Sequence, residues 1–254
     1  MDLTLEQYER LNPRCEIAHD GVRMVFMTPN QTTKWRVDGI YKKEPITLEW
    51  ISGFAPDEVV IDIGANVGMY TIWAAATRKA RVFAFEPASQ NYALLNRNIV
   101  ANDLQDRVKA YCAGLSDSPG LFDLNMGDVK LGGSCYTVGE ALDFKLEPMK
   151  VGYRQGCVAF RLDDLIQSGA IPVPNHIKLD VDGIEHKVIA GLGKVIENPQ
   201  LRSFLIETNL NLAEHRGMVD YIKGFGFKVD PEQVQRAMRQ DGAFKGVAEH
   251  VFRR

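Results

Sequence analysis

Cysteine is scarce in this chain. The four residues, Cys15, Cys112, Cys135 and Cys157, lie far apart, with no C-x-x-C pair and no zinc-like spacing. That sparsity excludes a disulfide scaffold and a zinc ribbon, and reduced thiols in a cytoplasmic protein are the expectation. Long apolar runs are also missing: none approaches the ~20 residues of a membrane helix, so no membrane segment is expected. The opening Met1-Asp2-Leu3-Thr4-Leu5-Glu6 has neither the basic nor the apolar region of a secretory signal. Charge of one sign is not in excess. Thirty Lys and Arg stand against 33 Asp and Glu, a net charge of −3, and no nucleic-acid partner is expected from so balanced a field.

What is present is an ordinary globular composition, 45% apolar and 25% charged over 254 residues, enough for one large domain or two small ones. No repeat or low-complexity tract divides it. Residues 1–55 read as an N-terminal extension packed on the core, with a strand at Val22–Met27 and a short helix at Thr47–Phe54. From 56 to 254 the pattern alternates. Strands are expected at 59–63, 81–86, 107–115, 176–181 and 202–207, and helices at 68–79, 89–101, 161–168, 184–196 and 212–223. Two last strands, 225–229 and 247–252, read as antiparallel neighbours. The unbroken apolar character of Val59-Val60-Ile61 marks a strand buried on both faces, as in a parallel sheet. Repeated β-α units imply a doubly wound α/β sheet, interrupted at 116–160 by a glycine-dense, β-rich insertion.

The chemistry is concentrated where the first strand ends, at Asp62-x-Gly64-x-Asn66-x-Gly68. A strand, a glycine turn and a helix start form half of a nucleoside site, because Gly64 and Gly68 permit close backbone approach and the helix offers free N–H groups. The glycines lack the G-x-G-x-x-G spacing of a pyrophosphate turn, and Asp62 would set a carboxylate against a diphosphate. A carboxylate suits instead the cationic amino-acid end of S-adenosylmethionine (SAM). Glu86, closing the next strand, suits the two ribose hydroxyls. Open sheets bind ligands at these carboxyl ends.

Val60–Thr71 closely resembles the first motif of the FkbM family of SAM-dependent methyltransferases. Phe83-Ala84-Phe85-Glu86-Pro87 with Asn91 and Asn98 resembles its second, and Leu131-Gly132-Gly133-Ser134 a glycine-serine motif in its middle. Leu162-Asp163-Asp164-Leu165, Ile177–Glu185 and Ile206-Glu207 resemble the later blocks. Asp182 stands where the family usually has Glu, keeping the charge with a shorter reach. The resemblance runs from about Tyr41 to Phe252. It implies a Rossmann-like class I methyltransferase fold of about seven strands with the last antiparallel. It also implies O-methylation of a hydroxyl on a saccharide, glycosylated or other natural-product acceptor. Cofactor contacts are then expected from Glu44, Asp62, Gly64, Ala65, Asn66, Gly68 and Tyr70. Thr71, Glu86, Pro87, Asn91, Ser116 and Asp180 complete the expected set.

The fourth strand places Lys178, Asp180 and Asp182 on one face while it lasts. A lysine in an apolar strand needs a partner, and Asp180 or Glu207 can supply it. Asp180 is the first choice for the carboxylate that receives or positions the acceptor hydroxyl, with Glu207, Lys178 and His186 as further catalytic candidates. The alternative for Lys178 and Asp180 is a buried ion pair, and for His186 an exposed helix face. His176 is placed at the far end of its strand, away from the chemistry, and His215 is a weaker candidate. Asp180, Asp182, Glu207 and Asn209 are hard oxygen donors that would suit a divalent metal such as Mg²⁺. Trp35, Tyr41, Trp50, Trp73 and Tyr153 are candidates for stacking on a sugar or adenine. Two other functions stay open: an NAD(P)-binding Rossmann oxidoreductase, and a catalytically silent SAM-binding scaffold.

Overall fold

A computed structural model describes residues 3–254. A short helix, α1 (Leu5–Arg10), and an antiparallel hairpin, β1 (Arg14–His19) and β2 (Val22–Met27), come first. Three helices follow, α2 (Gln31–Asp38), α3 (Ile40–Lys43) and α4 (Pro45–Ser52). Alternation then begins: β3 (Val59–Ile63), α5 (Met69–Arg78), β4 (Arg81–Phe85), α6 (Ser89–Ala101), β5 (Val108–Tyr111). The insertion carries β6 (Gly114–Leu115), β7 (Gly120–Met126), β8 (Thr137–Val138) and β9 (Tyr153–Phe160), a separate four-stranded sheet in the order β6-β9-β7-β8. The remainder runs α7 (Leu162–Gln167), β10 (His176–Leu179), α8 (Glu185–Ala190), a 3₁₀ turn (Gly193–Glu197), β11 (Ser203–Asn209), α9 (Ala213–Gly224), β12 (Lys228–Val229), α10 (Pro231–Ala237) and β13 (Val247–Arg253).

The main sheet has seven strands in the order β12-β13-β11-β10-β3-β4-β5. All pairs are parallel except those made by β13, which runs against both β11 and β12. Strand order reverses between β10 and β3, so the crevice at their carboxyl ends is where a doubly wound sheet takes a ligand. Side chains alternate across the sheet. Val60, Val82 and Val108 join a core with α4, α5 and α6. Ile61, Ile63, Phe83 and Phe85 join the opposite core with α8, α9 and β11. Among the described residues no helix is long and apolar enough to cross a membrane.

The N-terminal segment is fastened to the sheet by two asparagines, Asn98 within α6 and Asn102 at its C-cap. Asn98 accepts from the Met27 N–H (2.7 Å) and donates to the Val67 carbonyl (2.8 Å). Asn102 exchanges both bonds with the Val25 backbone, at 2.7 and 2.6 Å. Each amide acts as a one-residue strand for β2, which would otherwise bury unpaired backbone on this side. Met24, Phe26, Val37 and Ile40 thereby enter the same core as β3 and α5, and α2 and α3 are carried to the rim of the crevice.

Three elements differ from expectation. The third strand was expected over 107–115, but β5 ends at Tyr111, and Gly114–Leu115 pair with β9 in the insertion sheet. The expected helix 184–196 ends at Ala190, and Gly193 leaves helical geometry at φ +50°; Gly191 between them admits the Ser116 carbonyl, which a Cβ would meet at 2.0 Å. The fourth strand stops at Leu179, and Asp182 adopts φ +59°. The shared face argued for Lys178, Asp180 and Asp182 therefore lapses beyond the strand, and turn geometry aims Asp182.

Candidate active site

Three adjoining hollows meet at the carboxyl ends of β3 and β10, and Gly64, Asn66 and Asp180 line all three. The backbones here are close: a Cβ on Gly64 would sit 1.9 Å from the Asp180 carbonyl oxygen, and Gly64 has φ +79°. Gly64 is thus required by the approach of two strand ends. Gly68, expected to face a ligand, instead makes room for Leu95 behind the turn, with its missing Cβ 2.3 Å from Leu95 Cδ1.

The first hollow is bounded by Ile63, Phe85, Pro87, Leu115, Val138 and Ile184, with Glu86 and Asn91 as polar edges. Glu86 is buried. One carboxylate oxygen accepts from the Asn66 N–H (2.8 Å) and the other from the Ala88 N–H (2.9 Å). Burial pushes its carboxyl up to about 7 against those two amides, which pull it down. An apolar slot with an acid at its mouth matches a nucleoside, whose ribose hydroxyls can donate to the remaining lone pairs.

The second hollow is the charged one, lined by Arg36, Lys43, Glu44, Asp62, Tyr70 and Lys178 with Asp180. Asp62, 3% exposed, accepts from Thr71 Oγ1 at 2.5 Å through Oδ2, while Oδ1 has no partner among the described residues. An orphaned buried carboxylate oxygen is costly, and a ligand ammonium would satisfy it. Thr71 does not line the hollow; its hydroxyl holds Asp62 in place. Lys178 lies 3.2 Å from Asp180 and over the Tyr70 ring at 5.2 Å. Of the two partners expected for Lys178, Asp180 is the one it meets. Burial works against its charge, but Asp180, Asp62 and Glu44 outweigh burial and keep it protonated.

The third hollow, about 450 Å³, opens outward between Trp35, Arg36 and Lys43 on one side and Arg239, Gly242 and Phe244 on the other, with Asp180, Asp182, Glu207 and Ser134 at its floor. Carboxylate oxygens of Asp180, Asp182 and Glu207 lie within 4.8 Å of one another. Their environments separate them. Burial would raise Asp180, but Lys178 and Lys43 outweigh it and hold the carboxyl below its ordinary value. Asp182 is pushed up to about 6 by burial and by Asp180. Glu207 is raised by burial and Asp180, with Arg239 opposing at 2.5 Å. One carboxylate is therefore firmly ionised beside two that exchange a proton more readily.

Several expected residues lie elsewhere. Asn209 is not part of the carboxylate group; it faces Asn211, whose N–H it accepts at 3.1 Å. Asn209 lines none of the three hollows, and of the three acids gathered at the floor Lys178 and Arg239 already balance two. His186 lies beside His215 (ring centroids 6.1 Å apart) and lines none of the three hollows. His215 is buried, accepting from the Asn209 N–H and bonded to the Gly183 carbonyl, both at 3.0 Å. Ser116 contacts Asp117 and also stays off the cleft. Of the five aromatic candidates only Trp35 lines it; Trp50 is buried with its Nε1–H donating to Ser203. The Leu131–Ser134 loop offers less than expected, because Gly132 N–H donates to Asn91 and Gly133 N–H to Lys130, leaving the Ser134 side chain at the cleft. Asn66 and Asn91 in turn donate to the Gly133 carbonyl at 2.6 and 3.2 Å, tying the loop over the site. Sequence reasoning missed Arg36, Lys43, Arg239 and Phe244. Nothing in their neighbourhood resembles a motif, and only the fold brings them to the crevice.

Strand order, a lone antiparallel β13 and a cleft at the switch point define the Rossmann-like architecture of class I methyltransferases. The chain belongs to the methyltransferase FkbM domain family, whose model matches residues 62–229. The hexuronic acid methyltransferase AglP of Haloferax volcanii is 26% identical over 164 residues, 65% of this chain and 62% of that protein. The 31-O-demethyl-FK506 methyltransferase FkbM of Streptomyces tacrolimicus is 28% identical over 201 residues, 70% of this chain and 75% of that protein. The crystal structure of methyltransferase FkbM from Methylobacillus flagellatus KT shares the fold with a TM-score of 0.50 at 16% identity, covering 79% of this chain and 44% of that one. The chain thus spans less than two thirds of the first relative and less than half of the solved chain.

Proposed function

We propose that this protein is a SAM-dependent O-methyltransferase acting on a hydroxyl of a saccharide or glycosylated acceptor. The observation that carries the reading is the pairing of an apolar slot edged by Glu86 with a charged hollow lined by Asp62, whose Oδ1 has no partner among the described residues, both hollows reaching Asp180. Those two subsites match a nucleoside and an amino acid joined in one ligand. Bound SAM supplies an electrophilic methyl on a sulfonium and leaves as S-adenosylhomocysteine. Glu86 holds the ribose, Asp62 the ammonium, and Ile63, Phe85 and Leu115 enclose the base. The acceptor enters over Trp35 and Phe244, an aromatic edge that suits a sugar face. The relatives named for hexuronic acid and for a natural-product hydroxyl favour the same acceptor class.

Asp180 accepts the hydrogen bond of the attacking hydroxyl. As the new C–O bond forms that hydroxyl becomes strongly acidic, so a carboxylate below its ordinary pKa still takes the proton. Asp182 and Glu207, raised and adjacent, are placed to pass it to solvent. Most of the rate is ascribed to in-line placement. With Lys178 and Arg239 already paired to the acids, the reaction needs no divalent metal, and EDTA is expected to leave turnover unchanged. The missing pyrophosphate turn and the buried acid at Asp62 disfavour the NAD(P) alternative, and the assembled carboxylates disfavour a silent scaffold. Asp180→Asn is the test: turnover should fall by about a hundredfold or more, well beyond any change in S-adenosylhomocysteine affinity that follows from freeing Lys178. Full activity would remove Asp180 from catalysis.

A further inference from the structure

Six charged side chains surround the second hollow: Arg36, Lys43, Glu44, Asp62, Lys178 and Asp180. Four of them pair off, Lys43 with Glu44 at 2.6 Å and Lys178 with Asp180 at 3.2 Å. Two are left. Asp62, almost wholly buried, keeps its Oδ1 unpartnered. Arg36 donates through Nε to the Gly132 carbonyl at 2.7 Å, and among the described residues no carboxylate lies within 4.0 Å of its guanidinium. Lys178 lies in the field of Asp62 as well, but one carboxylate oxygen without a hydrogen bond and one guanidinium end without a carboxylate remain in a single hollow that adjoins the nucleoside slot. That is the charge pattern complementary to an α-amino acid, whose ammonium and carboxylate are fixed on one carbon.

We propose that Arg36 holds the α-carboxylate of SAM through its free Nη groups while Asp62 takes the ammonium, so that the two together recognise the amino-acid zwitterion. The assignment rests on the SAM reading above. Arg36 lies outside residues 62–229, the segment the family model matches, and is carried to the site on α2, whose cap Asn30 donates to the Leu131 carbonyl at 2.9 Å. Its Nε–Gly132 bond fixes the guanidinium plane, leaving the two Nη groups as a fork for a carboxylate. Arg36 also borders the acceptor hollow, and an acidic acceptor is the competing occupant. The cofactor is favoured because Asp62, the residue with the orphaned oxygen, lines the same hollow as Arg36 and no part of the acceptor hollow.

Calorimetry without any acceptor separates these. Wild-type protein and Arg36→Gln are titrated with S-adenosylhomocysteine, its decarboxylated analogue and 5′-methylthioadenosine. The wild type should bind S-adenosylhomocysteine about tenfold or more tighter than the decarboxylated analogue, and Arg36→Gln should abolish that preference while leaving methylthioadenosine binding unchanged. Arg36→Lys, which keeps the charge, should restore part of the preference, and it completes the same cycle if the Gln variant melts. An undiminished preference in Arg36→Gln overturns the assignment and gives Arg36 to the acceptor. An equal loss for all three ligands also overturns it, since Arg36 would then act through the Gly132 loop. Wild-type protein that binds none of the ligands overturns the SAM reading itself.

Discussion

At the scale of single residues, the site is a set of carboxylates told apart by their surroundings. Glu86 is pushed up to about 7, chiefly by burial, from an ordinary 4.5. Between those values the folded protein keeps a proton that the unfolded chain has released. Its contribution to stability is therefore present below about pH 4.5 and lost as pH rises through about 7. Ribose hydroxyls donate to the ionised form, so S-adenosylhomocysteine affinity should increase from about pH 6 to about pH 8. Glu86→Gln should weaken binding about tenfold at pH 8 and flatten the profile; a pH-independent wild type would contradict the ribose role. Asp62 and Glu86 were legible in the sequence because each ends an apolar run at a turn, and strand ends are where such sheets bind. Arg36 and Arg239 were not, since an arginine in a helix or loop reads as solvated surface until tertiary structure shows what it faces.

At the scale of elements, asparagines organise the site. Asn98 pairs the Met27 N–H and the Val67 carbonyl, both buried, so Asn98→Ala leaves two backbone groups unpaired. A loss of about 2 kcal/mol or more is expected in urea unfolding, and a change below about 0.5 kcal/mol would show that β2 does not depend on this tether. Gly64→Ala would press a Cβ against the Asp180 carbonyl at φ +79°, and should cost at least about 2 kcal/mol in thermal or denaturant unfolding. β3, the turn and α5 could be read directly from their pattern because local sequence dictates them. The end of the helix at Gly191 was open to the same reading, since Gly191 and Gly193 stand within the expected span and Gly193 takes φ +50°; only the approach of the Ser116 carbonyl to Gly191, distant in sequence, needed the fold. The same holds for Gly114–Leu115, which leave the main sheet to pair with β9.

At the scale of the molecule, two segments converge on the switch point between β10 and β3. The β-α alternation supplies Asp62, Glu86, Asp180 and Glu207. The N-terminal segment supplies Trp35, Arg36, Lys43 and Glu44. The first set follows from an order of strands that hydrophobic periodicity makes visible. Of the second, Trp35 and Glu44 were expected from the sequence, whereas Arg36 and Lys43 depend on how α2 and α3 pack over the crevice, which no local pattern encodes. The most direct test of the account is calorimetric titration of the whole protein with SAM and with NAD under the same conditions. SAM should bind in the range of about 1 to 100 μM, of the order expected for a preformed site, with no heat from NAD. NAD binding in the absence of SAM binding would contradict it.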